Sequence, residues 1–185
     1  MRLVILLLGL SACQPSPRMS SAIAEVQAEH APVRESWGVS TYVTQQDIGA
    51  SESYRRMESI ADYVAWYDVS GEKYQVLEQV DRPVRVYLYD AEGDTSATVT
   101  ATMVHYFESE DRLEAIGEVV AVTQDGTQLT TEWLEWRGED RMLQTDRFVH
   151  IISATEDVEG YGLLATEDMK TYHLGRFTAR VVIEE

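Results

Sequence analysis

Glu110-Asp111-Arg112-Leu113, running on to Val119-Val120-Ala121-Val122, aligns without gaps on Glu139-Asp140-Arg141-Met142, running on to Phe148-Val149-His150-Ile151, at an offset of 29 residues. A third copy begins at Glu167-Asp168-Met169 and reaches Gly175-Arg176-Phe177 with one extra residue. A fainter, earlier copy runs from Gly71-Glu72-Lys73 to Asp81-Arg82-Pro83-Val84. Each copy reads as a strand, a turn and a returning strand. A unit of this size cannot bury its apolar face alone, so stacked copies must share one interior. Stacked hairpins that fold over one another make a jelly roll or a slab with two faces.

The flanking stretches read the same way. Arg82-Pro83-Val84-Arg85-Val86-Tyr87-Leu88-Tyr89 alternates aliphatic with larger polar or aromatic groups, and Thr98-Val99-Thr100-Ala101-Thr102-Met103-Val104-His105-Tyr106 has a two-residue period. Turn chemistry bounds the runs at Ser70-Gly71-Glu72, Glu92-Gly93-Asp94, Asp125-Gly126 and Gly138-Glu139-Asp140. Asp125-Gly126 has the composition of a two-residue hairpin turn. Beyond Gly49 no stretch shows a capped helical period. The body is therefore expected to be all-β, built of stacked antiparallel strands.

Length and composition narrow the function. The 185 residues suit one domain, and 44% apolar with 25% charged residues is ordinary globular composition. Acidic residues outnumber basic ones 32 to 15, a net charge of -17. Such a surface repels phosphate backbones, which excludes a basic nucleic-acid binder. A single cysteine excludes a disulfide scaffold. No run of apolar residues is long enough for a membrane-spanning helix. The lack of Asn, with only Lys73 and Lys170 as lysines, fits a salt- or heat-adapted source or simply genomic base composition.

The chain opens Met1-Arg2, then Leu3-Val4-Ile5-Leu6-Leu7-Leu8-Gly9-Leu10, then Ser11-Ala12-Cys13. A basic start, a compact apolar stretch and small residues before a cut site make a secretory signal. Leu10-Ser11-Ala12-Cys13 resembles the bacterial lipobox. That resemblance implies that residues 1–12 are a lipoprotein signal peptide and that the Cys13 thiol is lipidated, with stable anchoring once two or three acyl chains are attached. Residues 13–36, small, polar and Pro-containing, read as a flexible lipid-anchored tether, with a short helix considered across Ser20–His30. The domain is then expected over 37–185.

Catalytic signatures are missing from the sequence. It contains no Gly-x-Ser-x-Gly, no P-loop and no His-Glu-x-x-His. Gly160-Tyr161-Gly162-Leu163-Leu164-Ala165 formally fits a dinucleotide pattern but lacks the strand–helix–strand context. His30, His105, His150 and His173 have no metal-ligand spacing, and Glu108, Glu110 and Asp111 read as a solvated acidic loop rather than a hydrolytic pair. The expectation is a protein that is not an enzyme, with no cofactor and no metal.

In order along the chain come Glu35-Ser36-Trp37-Gly38-Val39, Ile60-Ala61-Asp62-Tyr63-Val64-Ala65-Trp66-Tyr67, Ala115-Ile116-Gly117-Glu118-Val119-Val120-Ala121-Val122, then Asp125-Gly126-Thr127-Gln128-Leu129-Thr130-Thr131-Glu132-Trp133-Leu134-Glu135-Trp136. Thr145-Asp146-Arg147-Phe148-Val149 and Glu159-Gly160-Tyr161-Gly162-Leu163 close the series. In order and spacing these resemble the LptC family, the periplasmic component of the lipopolysaccharide export bridge. Well-known members of that family carry an uncleaved transmembrane helix, which is replaced here by the lipobox.

The resemblance implies an open twisted β-jelly roll (OstA-like) that carries lipid. Strand alternation offers Val64, Trp66, Val86, Leu88, Met103, Val119, Ala121, Leu134, Trp136, Phe148 and Leu163 as inward residues, filling either a lipid groove or a closed core. Partners implied are lipopolysaccharide, the subunits of an inner-membrane ABC transporter, a soluble LptA-like bridge protein, and the membrane through the lipid anchor. By resemblance the first strand, near Trp37, Val39 and Thr44, faces the transporter, and the last, near Phe177, Val181 and Ile183, faces the bridge. Gly160 and Gly162 before it mark a bend, a close backbone approach or a plain turn. The place implied is the periplasmic face of the inner membrane. Gln14 after Cys13 leaves the outer membrane open, and a non-transporting binding or scaffolding lipoprotein of the same fold is the alternative function.

Overall fold

The computed structural model describes residues 31–45 and 53–181. The signal peptide 1–12, Cys13, the considered helix Ser20–His30 and all but the end of the tether lie outside the described residues. Those described form eleven strands, all paired antiparallel, and no helix. They are β1 (Arg34–Gln45), β2 (Tyr54–Val69), β3 (Glu72–Glu78), β4 (Val84–Tyr89), β5 (Thr95–Ala101), β6 (Met103–Phe107), β7 (Arg112–Thr123), β8 (Gln128–Arg137), β9 (Met142–Ile152), β10 (Glu156–Thr166) and β11 (Tyr172–Val181). β1 begins at Arg34, three residues ahead of the expected domain start.

The long strands are interrupted at one common line. Going along β7, residues 112–116 pair β6 and residues 120–123 pair β5. β2 likewise pairs β3 with one half and β4 with the other. Where each strand changes partner or register, one or more residues drop out of the ladder. They are Gly38 in β1, Thr102 between β5 and β6, Gly117 and Glu118 in β7, Asp146 and Arg147 in β9, and Gly162 in β10. Gly38, Gly117, Glu118 and Gly162 have positive φ. Bulges bend a strand and increase its twist. Aligned across neighbours, they make a crease that folds one sheet into two layers. Layer I holds β4, β5 and the adjoining halves of β2 and β7–β10; layer II holds β3, β6 and the other halves.

The inward faces meet in one apolar cluster running from Met57 of β2 to Leu174 of β11. Its rows follow strand alternation within each layer: Val84, Val86 and Leu88 along β4, and Leu113 and Ala115, then Val119 and Ala121, along β7. Burial of each Val or Leu among them is worth about 1.5–3 kcal/mol, which is what holds the layers together. This is the all-β jelly roll expected from the repeat.

Three sequence readings need correcting, one because of the crease. The repeat offset is 30, not 29: Asp111 and Arg141 occupy the same positive-φ turn position, and Leu113 and Val119 correspond to Leu143 and Val149. A one-residue slip moves every side chain to the opposite face. Phe148, expected inward, is accordingly 44% exposed, with Val149 inward instead. Met103 is displaced by the crease. Thr102 breaks the phase, so Val104 and Tyr106 continue the interlayer row and Met103 packs on the other face of layer II with Tyr74, Val76 and Phe107. Finally, the two-residue hairpin turn lies at Ser70–Gly71, both with positive φ, whereas Asp125 and Gly126 belong to a four-residue connection between β7 and β8.

Gly160 and Gly162 are in no turn; both lie inside β10. Gly162 supplies a positive φ at the crease. Gly160 is a close-approach position, since a Cβ there would strike the Arg176 carbonyl oxygen and sit 3.1 Å from Phe177 Cβ. Gly160→Ala is expected to push β10 and β11 apart and lower stability by about 1–3 kcal/mol, the usual range for overpacking. Chemical denaturation of the variant beside wild type checks this, and an unchanged midpoint would contradict the clash.

On the other face of layer II, His105 is 4% exposed between the rings of Tyr74 and Phe107. Burial, with the Arg112 charge adding to it, pushes its imidazole down to about 4. An unfolded histidine titrates near 6.5, so between these values the unfolded chain binds more protons than the fold. Stability present above pH 6.5 is then lost as pH falls toward 4, on the order of 3 kcal/mol for this residue. The difference between wild type and His105→Leu, measured by urea unfolding at pH 7 and pH 4.5, should open by a large part of that amount; parallel pH profiles would contradict it.

Candidate functional site

Eight of the eleven residues expected to line a groove meet in the interlayer cluster: Val64, Val86, Leu88, Val119, Ala121, Leu134, Trp136 and Leu163. Trp66 is half-buried and packs against them, with the Arg34 guanidinium 3.6 Å from its ring centre. The interlayer space is filled by side chains, and all eight are at most 3% exposed. Met103 and Phe148 lie outside the cluster.

A separate cleft of about 1830 Å3 follows the crease. Met103, Phe148 and Leu163 border it, together with Ile116, Trp133 and Leu164, which the sequence reading did not single out. Acidic side chains surround these apolar groups: Glu78, Glu118, Glu132 and Asp146, the last paired at 3.2 Å with Arg147. An anionic headgroup meets repulsion there.

Opposite the crease, the free lips of the two layers meet around Trp136. Arg56, at the start of β2 in layer I, is 7% exposed. Its guanidinium donates to Asp111 at 2.7 Å and to the Gly138 carbonyl, both in layer II turns, and stands 5.4 Å from the Trp136 ring centre. The Tyr106 hydroxyl also donates to Asp111, at 3.2 Å, and burial beside that carboxylate pushes its phenol above the usual range. Glu167, 4% exposed in the β10–β11 turn, accepts from the Trp136 indole at 2.9 Å, from Arg141 at 2.7 Å, and from the Ser96 hydroxyl of layer I. Arg141 donates in addition to the Tyr89 carbonyl of layer I at 2.9 Å. Sequence reasoning missed Arg56, Arg141 and Glu167 and read Asp111 as solvated. Acid-rich turns in an acidic chain carry no local sign of a distant arginine.

The sheet ends in two unlike edges. Among the described residues β1 pairs only with β2, and β11 only with β10. On β1, Trp37 is 71% exposed and tilts against Tyr63 at 5.7 Å, while Val39 packs against the interlayer cluster. Near β11, Phe177 is 66% exposed, and Phe148 and Tyr161 meet edge to face at 5.3 Å. Val181 is described by its backbone alone, as the last residue of β11.

Among the described residues no group of His, Cys, Asp or Glu is arranged to hold a metal ion. His150 pairs with Asp157 at 2.7 Å on the outer face, His173 borders the crease cleft, and His30 lies outside the described residues.

No curated protein matches the sequence. The family described as "Lipopolysaccharide-assembly, LptC-related" matches residues 57–177, a span that runs from the inward-facing Met57 of β2 to the exposed Phe177 of the β11 edge. With its jelly roll of antiparallel strands and a family match over most of its length, the chain belongs to the LptC-related family of lipopolysaccharide assembly, whose members work in the periplasm at the inner membrane.

Proposed function

We propose that this protein is a lipid-anchored relay. It accepts lipopolysaccharide from an inner-membrane ABC transporter and passes it to a soluble LptA-like bridge protein. The observation that carries this reading is the apolar interlayer cluster, which runs across the sheet from β2 to β11 between two edges that carry no further strand among the described residues. Acyl tails need an apolar path through water, since each methylene buried is worth about 0.8 kcal/mol. Exposed strand edges pair main chain with main chain, so each edge is suited to extend the sheet into a partner of similar fold. Similar interiors hold the tails about equally well, so the hand-over itself needs little driving force. Direction comes from ATP hydrolysed by the transporter.

The surface charge supports a place in water for the other end of the lipid. With a net charge of -17, the exterior repels phosphorylated headgroups, which stay in solvent while the tails are held. Cys13, in its lipobox, is the proposed anchor to the membrane, with residues 13–36 as the spacer. Cys13→Ser should move the protein from the membrane to the soluble fraction, read by fractionation and by loss of incorporated fatty acid.

A photoreactive amino acid at Leu88 or Leu134, both inward, should capture lipopolysaccharide when the transporter hydrolyses ATP. The same probe at Val80, 82% exposed, should capture little. Equal capture at all three positions, or none at the inward pair with an active transporter, would favour the non-transporting scaffold instead.

A further inference from the structure

Because the interlayer space is filled with side chains, fatty tails can occupy it only if the layers separate. Two boundaries are available. The crease is crossed by continuous backbone in β2 and β7–β10, whereas the lips opposite it are held by side chains and turn carbonyls. We infer that the lip seam of Arg56, Asp111, Glu167 and Arg141 is the gate of the interlayer site, and that the crease is its hinge. This inference rests on the relay reading given above.

The chemistry of the seam favours a joint that opens. Inside, the cluster is apolar; at the lips, two charged groups, Arg56 and Glu167, are at most 7% exposed. Buried ion pairs are commonly no more stabilising than the apolar contacts that would replace them. When the lips part, Arg56, Asp111 and Glu167 regain water, and that hydration offsets the loss of their contacts. A seam of Leu and Val would instead expose apolar surface with no such return. The indole of Trp136 links the two halves of the seam, facing the Arg56 guanidinium and donating to Glu167.

Backbone geometry points the same way. Three layer II turns at the lips carry non-glycine residues in left-handed conformation: Asp111 at φ 45°, Arg141 at 56° and Met169 at 52°. Such positions cost free energy and persist only while the surroundings fix them. Asp111 and Arg141 are themselves seam residues, and Met169 lies two residues beyond Glu167. The seam therefore holds these turns in place, and opening relaxes them.

Glu92 of the β4–β5 turn in layer I and Asp140 of the β8–β9 turn in layer II line one small cleft of about 450 Å3 across the lips. Glu92→Cys and Asp140→Cys, introduced together in the full chain with Cys13→Ser, can be bridged by a bis-maleimide with a reducible centre. Purified lipopolysaccharide is the probe, and binding is read before bridging, after bridging and after reduction. Bridging should cut binding about tenfold and reduction should restore it, because a site that must open binds in proportion to its open fraction. In parallel, Arg56→Gln should load faster than wild type. Binding unchanged by the bridge would overturn the gate and leave the relay intact. Failure of the unbridged protein to bind lipopolysaccharide at all would overturn the relay reading and the gate with it. Should Arg56→Gln not fold, the bridged pair decides alone.

Discussion

A β-sheet of long strands can close on itself only if every strand bends at the same place, and that constraint governs this molecule. The interruptions at Gly38, Thr102, Gly117–Glu118, Asp146–Arg147 and Gly162 fall on one line because hydrogen-bonded neighbours must bend together. A bulge in one strand alone would break its ladder; aligned with the rest it becomes a fold axis. From this axis follow the facing layers, the single apolar cluster between them, the cleft along its course and the lips at the far side. Thr102 shows how tightly the line is drawn: its amide donates to the Gly117 carbonyl at 2.9 Å, and a side chain on Gly117 would meet its hydroxyl at 3.0 Å.

The crease also decides what the sequence could and could not reveal. Within a layer, two-residue alternation is reliable, so Val86, Leu88, Val119, Ala121 and Leu134 are correctly read as inward. Where a single residue drops out at the crease, as at Thr102, the alternation changes phase, and a reader counting in twos carries the wrong face onward, as at Met103. At Phe148 it is the repeat that misleads. A gapless alignment at 29 hides an offset of 30 that only three-dimensional pairing exposes. Family resemblance was legible because it rests on the order of short motifs and not on their phase. The lip residues were not legible. Arg56 and Asp111 are 55 positions apart, and Ser96 and Glu167 are 71 apart, with no local pattern to join them.

The placement of charge is as informative as the placement of oil. The surface around the crease cleft is acidic, and among the described residues the buried charges Arg56 and Glu167 lie at the lips. Under the proposed relay, a lipid with phosphorylated sugars and several tails would be sorted by its own chemistry, tails toward the interior and sugars toward water. Family membership places the chain in lipopolysaccharide assembly, and in the proposed relay this distribution would let an acidic protein handle an acidic lipid without binding its headgroup.

The unlike edges have one more consequence. A molecule with a donor side and a different acceptor side adds copies head to tail, and such addition has no built-in stopping point. Edge strands that no further strand covers among the described residues would make this protein a monomer of a fibre if nothing opposed the growth. Mutual repulsion between bodies of charge -17 supplies the opposition, and it weakens as salt rises and screens it. The same acidity that the proposed relay uses to keep sugars at the surface thus doubles as a brake on polymerisation.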